Sequence, residues 1–156
     1  MIVPVTSADL HGLAAGRCVA AFPPADSPLA DPQILTLMAD IAAQIEAQFT
    51  PAAWLMVDNG EPVGLCSIKA LAPGGSIDIG YGVATSRRRQ GAATRAVGEV
   101  VAWARADSRV NQLTAETLPE PGPSPRILIA NGFVQIGDRI DPEDGRVWCW
   151  RRDCSD

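Results

Sequence analysis

The stretch from Ile79 to Thr94 constrains this chain more than any other. It reads Ile-Gly-Tyr-Gly-Val-Ala-Thr-Ser-Arg-Arg-Arg-Gln-Gly-Ala-Ala-Thr. Ile77, Ile79, Tyr81 and Val83 alternate as in a strand, and Ala93, Ala96, Val97, Val100 and Ala104 follow at helical spacing. The turn between them opens a helix whose first amides have no intrahelical acceptor. Those amides and the helix dipole attract anions, and successive N–H groups aimed into one concavity hold phosphate. Gly91 has no Cβ to keep a phosphate at a distance, Ala92 and Ala93 keep the mouth open, and Arg88 and its neighbours add positive charge. The nucleotide-triphosphatase loop Gly-x-x-x-x-Gly-Lys-Ser/Thr is absent, and so is Gly-x-Gly-x-x-Gly.

The background makes that basic run stand out. The formal net charge is −5, a poor match to nucleic acid and a mild fit to a cationic partner such as an amine. With 156 residues, 47% of them hydrophobic, the chain is expected to form one domain, residues 1–156, with a core that needs no covalent staples. Cys18, Cys66, Cys149 and Cys154 form no C-x-x-C pair and His11 is the only histidine, so no metal site is expected. No apolar run reaches the roughly 18 residues a membrane span needs, and no export signal is visible. Scattered thiols suit a reducing cytoplasm.

Along the chain, Met1 to Thr6 reads as a short strand and Ser7 to Phe22 as a helix stopped by Pro23-Pro24. Asp31-Pro32 reads as the start of a second helix. Ile34, Leu37, Met38, Ile41, Ile45 and Phe49 are expected to form its single buried stripe. Trp54–Val57 and Val63–Ala70 read as strands joined by an Asp58-Asn59-Gly60 hairpin. After the helix that carries Ala93 to Ala104, Val110–Thr117 is a strand. Ser124-Pro125 opens a short helix that Asn131-Gly132 closes, and Phe133–Ile140 and Val147–Arg151 are the last strands. The order predicts a mixed α/β fold: a mostly antiparallel sheet with a central parallel strand-helix-strand crossover from Ile77 to Thr117.

At these residues the chain resembles the GNAT superfamily of N-acetyltransferases. Arg88-x-x-Gly91-x-Ala93 is similar to that family's Gln/Arg-x-x-Gly-x-Gly/Ala acetyl-CoA motif. Ser124-Pro125-Arg126-Ile127-Leu128-Ile129-Ala130-Asn131-Gly132-Phe133 is similar to its Ser-x-Arg-x-Leu-x-x-x-Gly-Phe helix. The matching segments run from about Ile77 to Phe133, and the likeness is greatest to the ribosomal-protein N-terminal acetyltransferase-like branch. The resemblance implies an acyl-CoA N-acyltransferase fold and acetyl-CoA as co-substrate. It implies a pantetheine arm laid along Val83 and Ala84, and a pyrophosphate held by Arg88, Arg89, Gln90, Gly91, Ala92, Ala93 and Thr94. The strands ending near Ala84 and Thr117 would splay to admit the thioester. The acceptor would be a primary amine, on a protein N-terminus or a small molecule, attacking the thioester directly. Monomer and homodimer are both compatible with the sequence.

Two carboxylates are candidates for the base that takes a proton from the ammonium acceptor. Asp78 lies in the strand leading to the motif, on the face opposite Ile77 and Tyr81; its other reading is an exposed strand-edge residue. Glu116 lies near the end of the strand that would border the opening; its other reading is a cross-strand charge. The family's acid tyrosine position is Leu128 here, and its asparagine position is Pro121. Those departures give a second hypothesis, a CoA-sensing or inactive acyl-CoA-binding module; a ligand-free interaction domain is the third. Tyr81 reads as core or pocket wall, Cys66 as core, and Ser124 as a helix cap. Trp148 and Trp150 share one strand face, as core, subunit interface or pocket wall.

Overall fold

A computed structural model describes residues 1–155. The elements are β1 (Ile2–Val5), α1 (Ser7–Ala14), α2 (Pro32–Glu46), β2 (Ala53–Asp58), β3 (Glu61–Ala72), β4 (Ser76–Val83), α3 (Ala92–Ala106), β5 (Gln112–Thr117), α4 (Pro123–Ala130), β6 (Val134–Asp141) and β7 (Gly145–Asp153). They build a seven-stranded sheet in the order β1-β2-β3-β4-β5-β7-β6. Every pairing is antiparallel except β4 with β5, which is parallel and bridged by α3, as the strand-helix-strand pattern predicts.

Local chemistry sets most boundaries. Thr6 and Asp9 form a reciprocal capping box that starts α1, with Asp9 N–H donating to Thr6 Oγ1 at 3.1 Å and Thr6 N–H to Asp9 Oδ2 at 2.9 Å. The helix ends at Ala14, well short of the expected Phe22. Gly16 takes a left-handed φ of +83°, and Arg17 N–H reaches back to Gly12 O at 2.8 Å, which terminates the helix. The Asp58-Asn59-Gly60 hairpin forms as expected, with φ of 51° at Asn59 and 77° at Gly60, the pair of positive values a type I′ turn demands. The start of α2 falls where expected, but the capping at Asp31 and at Ser124 differs in detail. Asp31 precedes Pro32 at the start of α2, but its side chain makes no capping bond. The cap of α4 is Gly122, and Ser124 sits inside the first turn after Pro123.

The sheet has two distinct faces. Trp54 of β2 packs edge-on against Trp103 of α3 at 4.9 Å, so the parity of Trp54, Cys66 and Tyr81 faces α3. Val97, Val100 and Ala104 of α3 are fully buried on that side. The opposite parity, Leu65, Ser67, Gly80 and Gly82, lies under α2. Here the single-stripe expectation for α2 fails. Its core contacts are Leu35, Ala39, Ala42 and Ile45, whereas Ile34 and Leu37 are 49% and 57% exposed. The helix carries two apolar stripes: one is buried in the core, and of the other Met38 and Ile41 pack against the core while Ile34 and Leu37 stay exposed. No helix among the described residues is long and apolar enough to cross a membrane.

Candidate functional site

The parallel pairing of β4 with β5 runs from Ser76 opposite Gln112 to Ile79 opposite Ala115, and stops there. β4 continues to Val83 and β5 to Thr117 without pairing to each other. On its other edge β4 stays bonded to β3 through Val83. In an antiparallel ladder only alternate residues turn their polar groups toward the partner. The remaining backbone groups between Gly80 and Val83 therefore face the opening toward β5, free to bind an extended ligand.

A cleft of about 920 Å³ lies at this opening. Its walls are the end of β4 (Tyr81, Gly82, Val83), the start of α3 (Ala92, Ala93, Thr94) and one side of α4 (Ser124, Ile127, Ala130). Gly91 is the cap residue of α3 at φ 78°, with no side-chain capping bond at the helix start. Arg89 is also at positive φ, 65°, a conformation uncommon outside glycine. This backbone places the first-turn amides of Ala92, Ala93 and Thr94, which have no intrahelical acceptors, on the cleft wall. A Cβ at Gly91 would stand 3.0 Å from Arg95 Nη1, whose guanidinium donates to Gln90 O at 3.1 Å and so braces the loop from outside.

Other features of the cradle were not legible in the sequence. Asn131, read as a helix stop, donates from Nδ2 to Thr94 O at 3.1 Å and to Ile127 O at 2.9 Å. It ties the start of α3 to α4 and so holds the two cleft walls together. Within the basic run the arginines divide. Arg87 is bound by Asp26 at 2.7 Å and by Glu61, so its charge serves the scaffold. All three line the cleft, and of them Arg88 and Arg89 are exposed.

The expected cofactor residues fall into three groups. Val83, Arg88, Arg89, Gly91, Ala92, Ala93 and Thr94 all line the cleft. Gln90 is exposed and absent from the lining, with its carbonyl held by Arg95. Ala84 is buried, and both its backbone groups are engaged: its N–H donates to Val63 O at 2.8 Å, and its carbonyl accepts from Arg87 N–H at 2.9 Å.

Neither carboxylate lines the cleft. Asp78 sits half-buried on an interior strand, accepts from Thr114 Oγ1 at 2.8 Å, and shares a strand face with Gly80 and Gly82. Its strand has neighbours on both sides, so the strand-edge reading does not describe it. Burial raises its pKa above the usual aspartate value, aided by Glu116 and opposed by the Thr114 hydrogen bond and the charges of Lys69 and Arg139. Glu116, at the mouth of the opening, is held by Arg139 of β6, whose Nη2 donates to Glu116 Oε1 at 2.9 Å while its Nε bonds the other oxygen. Arg139 was not singled out in the sequence, because only the β6–β5 approach across β7 reveals the pair.

Tyr81, the only tyrosine, occupies a junction. It lines both the main cleft and a second cavity, and its hydroxyl donates to Ser124 O at 3.2 Å. Burial raises its pKa to about 12, so it keeps its proton at neutral pH. Leu128 is fully buried, as is Cys66, whose thiol burial pushes up to about 12. Trp148 and Trp150 stack edge-on at 6.4 Å, and Trp150 Nε1 donates to Thr117 Oγ1 at 3.0 Å, pinning the end of β5. Among the described residues, no three of His, Cys, Asp or Glu gather where they could share a metal ion.

Comparison with known proteins agrees with this geometry. The profile of the acetyltransferase (GNAT) domain matches residues 1–134. No curated protein matches the chain. Among solved structures, ribosomal-protein-S5-alanine acetyltransferase from Vibrio fischeri superposes with TM-score 0.71 at 18% identity, covering 99% of this chain and 93% of that one. Ribosomal-protein-alanine N-acetyltransferase from Brucella melitensis gives 0.70 at 18%, covering 98% and 99%. The aminoglycoside acetyltransferase AAC(6')-Ib, in complex with coenzyme A, gives 0.68 at 21%, covering 98% and 94%. The splayed parallel strands, the left-handed glycine opening α3 and the profile match over most of the chain place this protein in the GNAT acetyltransferase family.

Proposed function

We propose that the protein transfers the acetyl group of acetyl-CoA to a primary amine. The parting of β4 and β5 after Ile79 and Ala115, beside a helix start with free amides, carries this reading. Residues 1–156 then act as one catalytic domain. Solved relatives with coenzyme A or acetyl-CoA bound support the choice of co-substrate.

The residues present fit the co-substrate. The amides of Ala92, Ala93 and Thr94 and the guanidiniums of Arg88 and Arg89 hold the pyrophosphate. The unpaired backbone edge of Gly80–Val83 orders the pantetheine arm as an added strand. Acetyl-CoA supplies an activated acyl carbon, to which the amine nitrogen bonds as the carbon–sulfur bond breaks. An amide of the same edge polarises the carbonyl. Asp78 takes the proton of the ammonium through water, its raised pKa keeping it basic enough to do so. Tyr81, protonated and at the junction of the two cavities, gives its proton to the departing thiolate and regains one from the second proton shed by the acetylated nitrogen. Holding both reactants in one frame contributes much of the acceleration.

The test is an assay of free thiol released from acetyl-CoA in the presence of a panel of amines. Amine-dependent release supports the reading; release without amine, or none with any amine, counts against it. The buried Leu128 in place of the family's tyrosine favours one other reading, a CoA-sensing module, which tight binding without turnover would select.

A further inference from the structure

The second cavity, of about 310 Å³, opens on the other side of Tyr81 and Gly82 from the main cleft. Its walls are apolar: Ile34, Leu37, Met38 and Ile41 of α2 face Leu65 of β3. Of these, Ile34 and Leu37 are left half exposed by the core. The cavity has one charged lining residue, Lys69, the single lysine of the chain.

Lys69 is placed by two backbone features. It is the extra residue of a bulge in β3, where pairing to β4 steps from Ile68 opposite Ile79 to Ala70 opposite Asp78. Such bulges re-aim the side chain they carry. Its stem then lies across Gly80, where an added Cβ would meet Lys69 Cδ at 2.9 Å. Gly80 is the bare surface that lets the lysine lie over the sheet. The same bulge sets Lys69 next to Ala70, whose cross-strand partner is Asp78, so the two charges lie on neighbouring strands and act on each other. An apolar pocket therefore carries one cation at its wall, with an anion next to it.

We propose that this cavity takes an α-amino acid with an apolar side chain as acceptor: carboxylate on Lys69, ammonium toward Asp78 and the cleft, side chain against α2. The paired charges match the zwitterion in sign and order. The volume sits at the low end of the roughly 300–1,000 Å³ typical of small-ligand pockets, which suits one such molecule. A polycationic acceptor would meet a cation and apolar walls, with no carboxylate among the lining residues. This inference rests on the transferase reading for its turnover arm only.

The experiment compares L-phenylalanine, L-phenylalaninamide and kanamycin A as acceptors with acetyl-CoA, in the parent protein and in Lys69→Met, which keeps an unbranched stem. In the parent, kcat/KM falls in that order. A charge-assisted hydrogen bond makes the amino acid better than its amide by about 10- to 100-fold. Lys69→Met removes that difference, so that acid and amide are used alike whatever its common effect through Asp78, and Gly80→Ala, which displaces the lysine stem, erodes it. Binding is read separately from the rise in Tm produced by N-acetyl-L-phenylalanine in the presence of CoA. That rise shrinks in Lys69→Met whether or not turnover occurs. A preference for kanamycin A, equal use of acid and amide by the parent, or a Lys69-independent rise in Tm would each overturn the proposal. If no amine turns over but the Lys69-dependent rise persists, the transferase reading fails and the pocket assignment stands.

Discussion

The hydroxyl of Thr114 donates a 2.8 Å hydrogen bond to Oδ1 of Asp78 from the parallel neighbour strand, one residue pair before the two strands part. The bond joins the base candidate to the scaffold that opens the site, and it stabilises the charged form against the effect of burial. Replacing Asp78 with Asn should lower kcat by on the order of 100-fold or more, as expected for loss of a general base. Replacing Thr114 with Val removes a bond that lowers the Asp78 pKa, so the acid limb of the kcat/KM profile should move to higher pH. A pH profile unchanged by both substitutions would remove Asp78 from the mechanism.

Stability gives an independent check on the same carboxyl. The proton on Asp78 is held more tightly in the folded chain than in the unfolded one. Such a group favours folding below its unfolded pKa, and that contribution is lost as pH rises through the folded value. Asn carries no charge to bury and can still accept from Thr114. Asp78→Asn should therefore melt above the parent at neutral pH, with the difference shrinking on acidification. Melting curves from pH 4 to pH 8 read this directly.

Gly91 holds a φ of 78°, which a β-branched residue does not adopt without strain. Gly91→Val should fold, with some loss of stability, but lose CoA binding. For the parent, CoA at 100 times its Kd contributes about 2.7 kcal/mol. At about 2–4 °C per kcal/mol for a chain of this size, the rise in Tm is roughly 5–10 °C. The variant should show almost none of it.

The three arginines of the basic run should separate under salt titration. Arg88→Ala and Arg89→Ala are expected to weaken CoA binding and flatten its dependence on ionic strength, because their side chains are exposed at the cleft and pair with no carboxylate among the described residues. Arg87→Ala breaks contacts to Asp26 and Glu61 instead. It should loosen the segment that carries Asp26 while leaving the salt dependence of CoA binding near that of the parent. Isothermal titration at low and high salt distinguishes the two behaviours.

Asn131 bridges α3 and α4 through two carbonyls. Asn131→Ala should cost about 1–3 kcal/mol, from two half-buried hydrogen bonds. CoA affinity should fall with it, because the cleft walls are no longer tied. Unchanged affinity in a destabilised variant would show that the bridge supports the fold but not the site.

The sequence by itself determined the strand-turn-helix at the centre of the site and the order of elements around it. These are local matters: alternation in β4, an apolar face on α3, and a glycine where only a left-handed residue fits. The Asp58–Gly60 hairpin was legible for the same reason. Tertiary structure alone decided which polar groups remain free. Arg87 and Arg88 are adjacent in the chain, yet Asp26 and Glu61 reach only the first. The Ile34 and Leu37 stripe has the same helical period as a core stripe, and nothing in that period says that it borders a cavity. Lys69 looked like an ordinary strand residue until a one-residue bulge and the bare face of Gly80 laid it over the sheet, one strand from Asp78. Period and turn chemistry act over a few residues, whereas ion pairs, bulge registers and cavities depend on segments brought together only when the sheet closes.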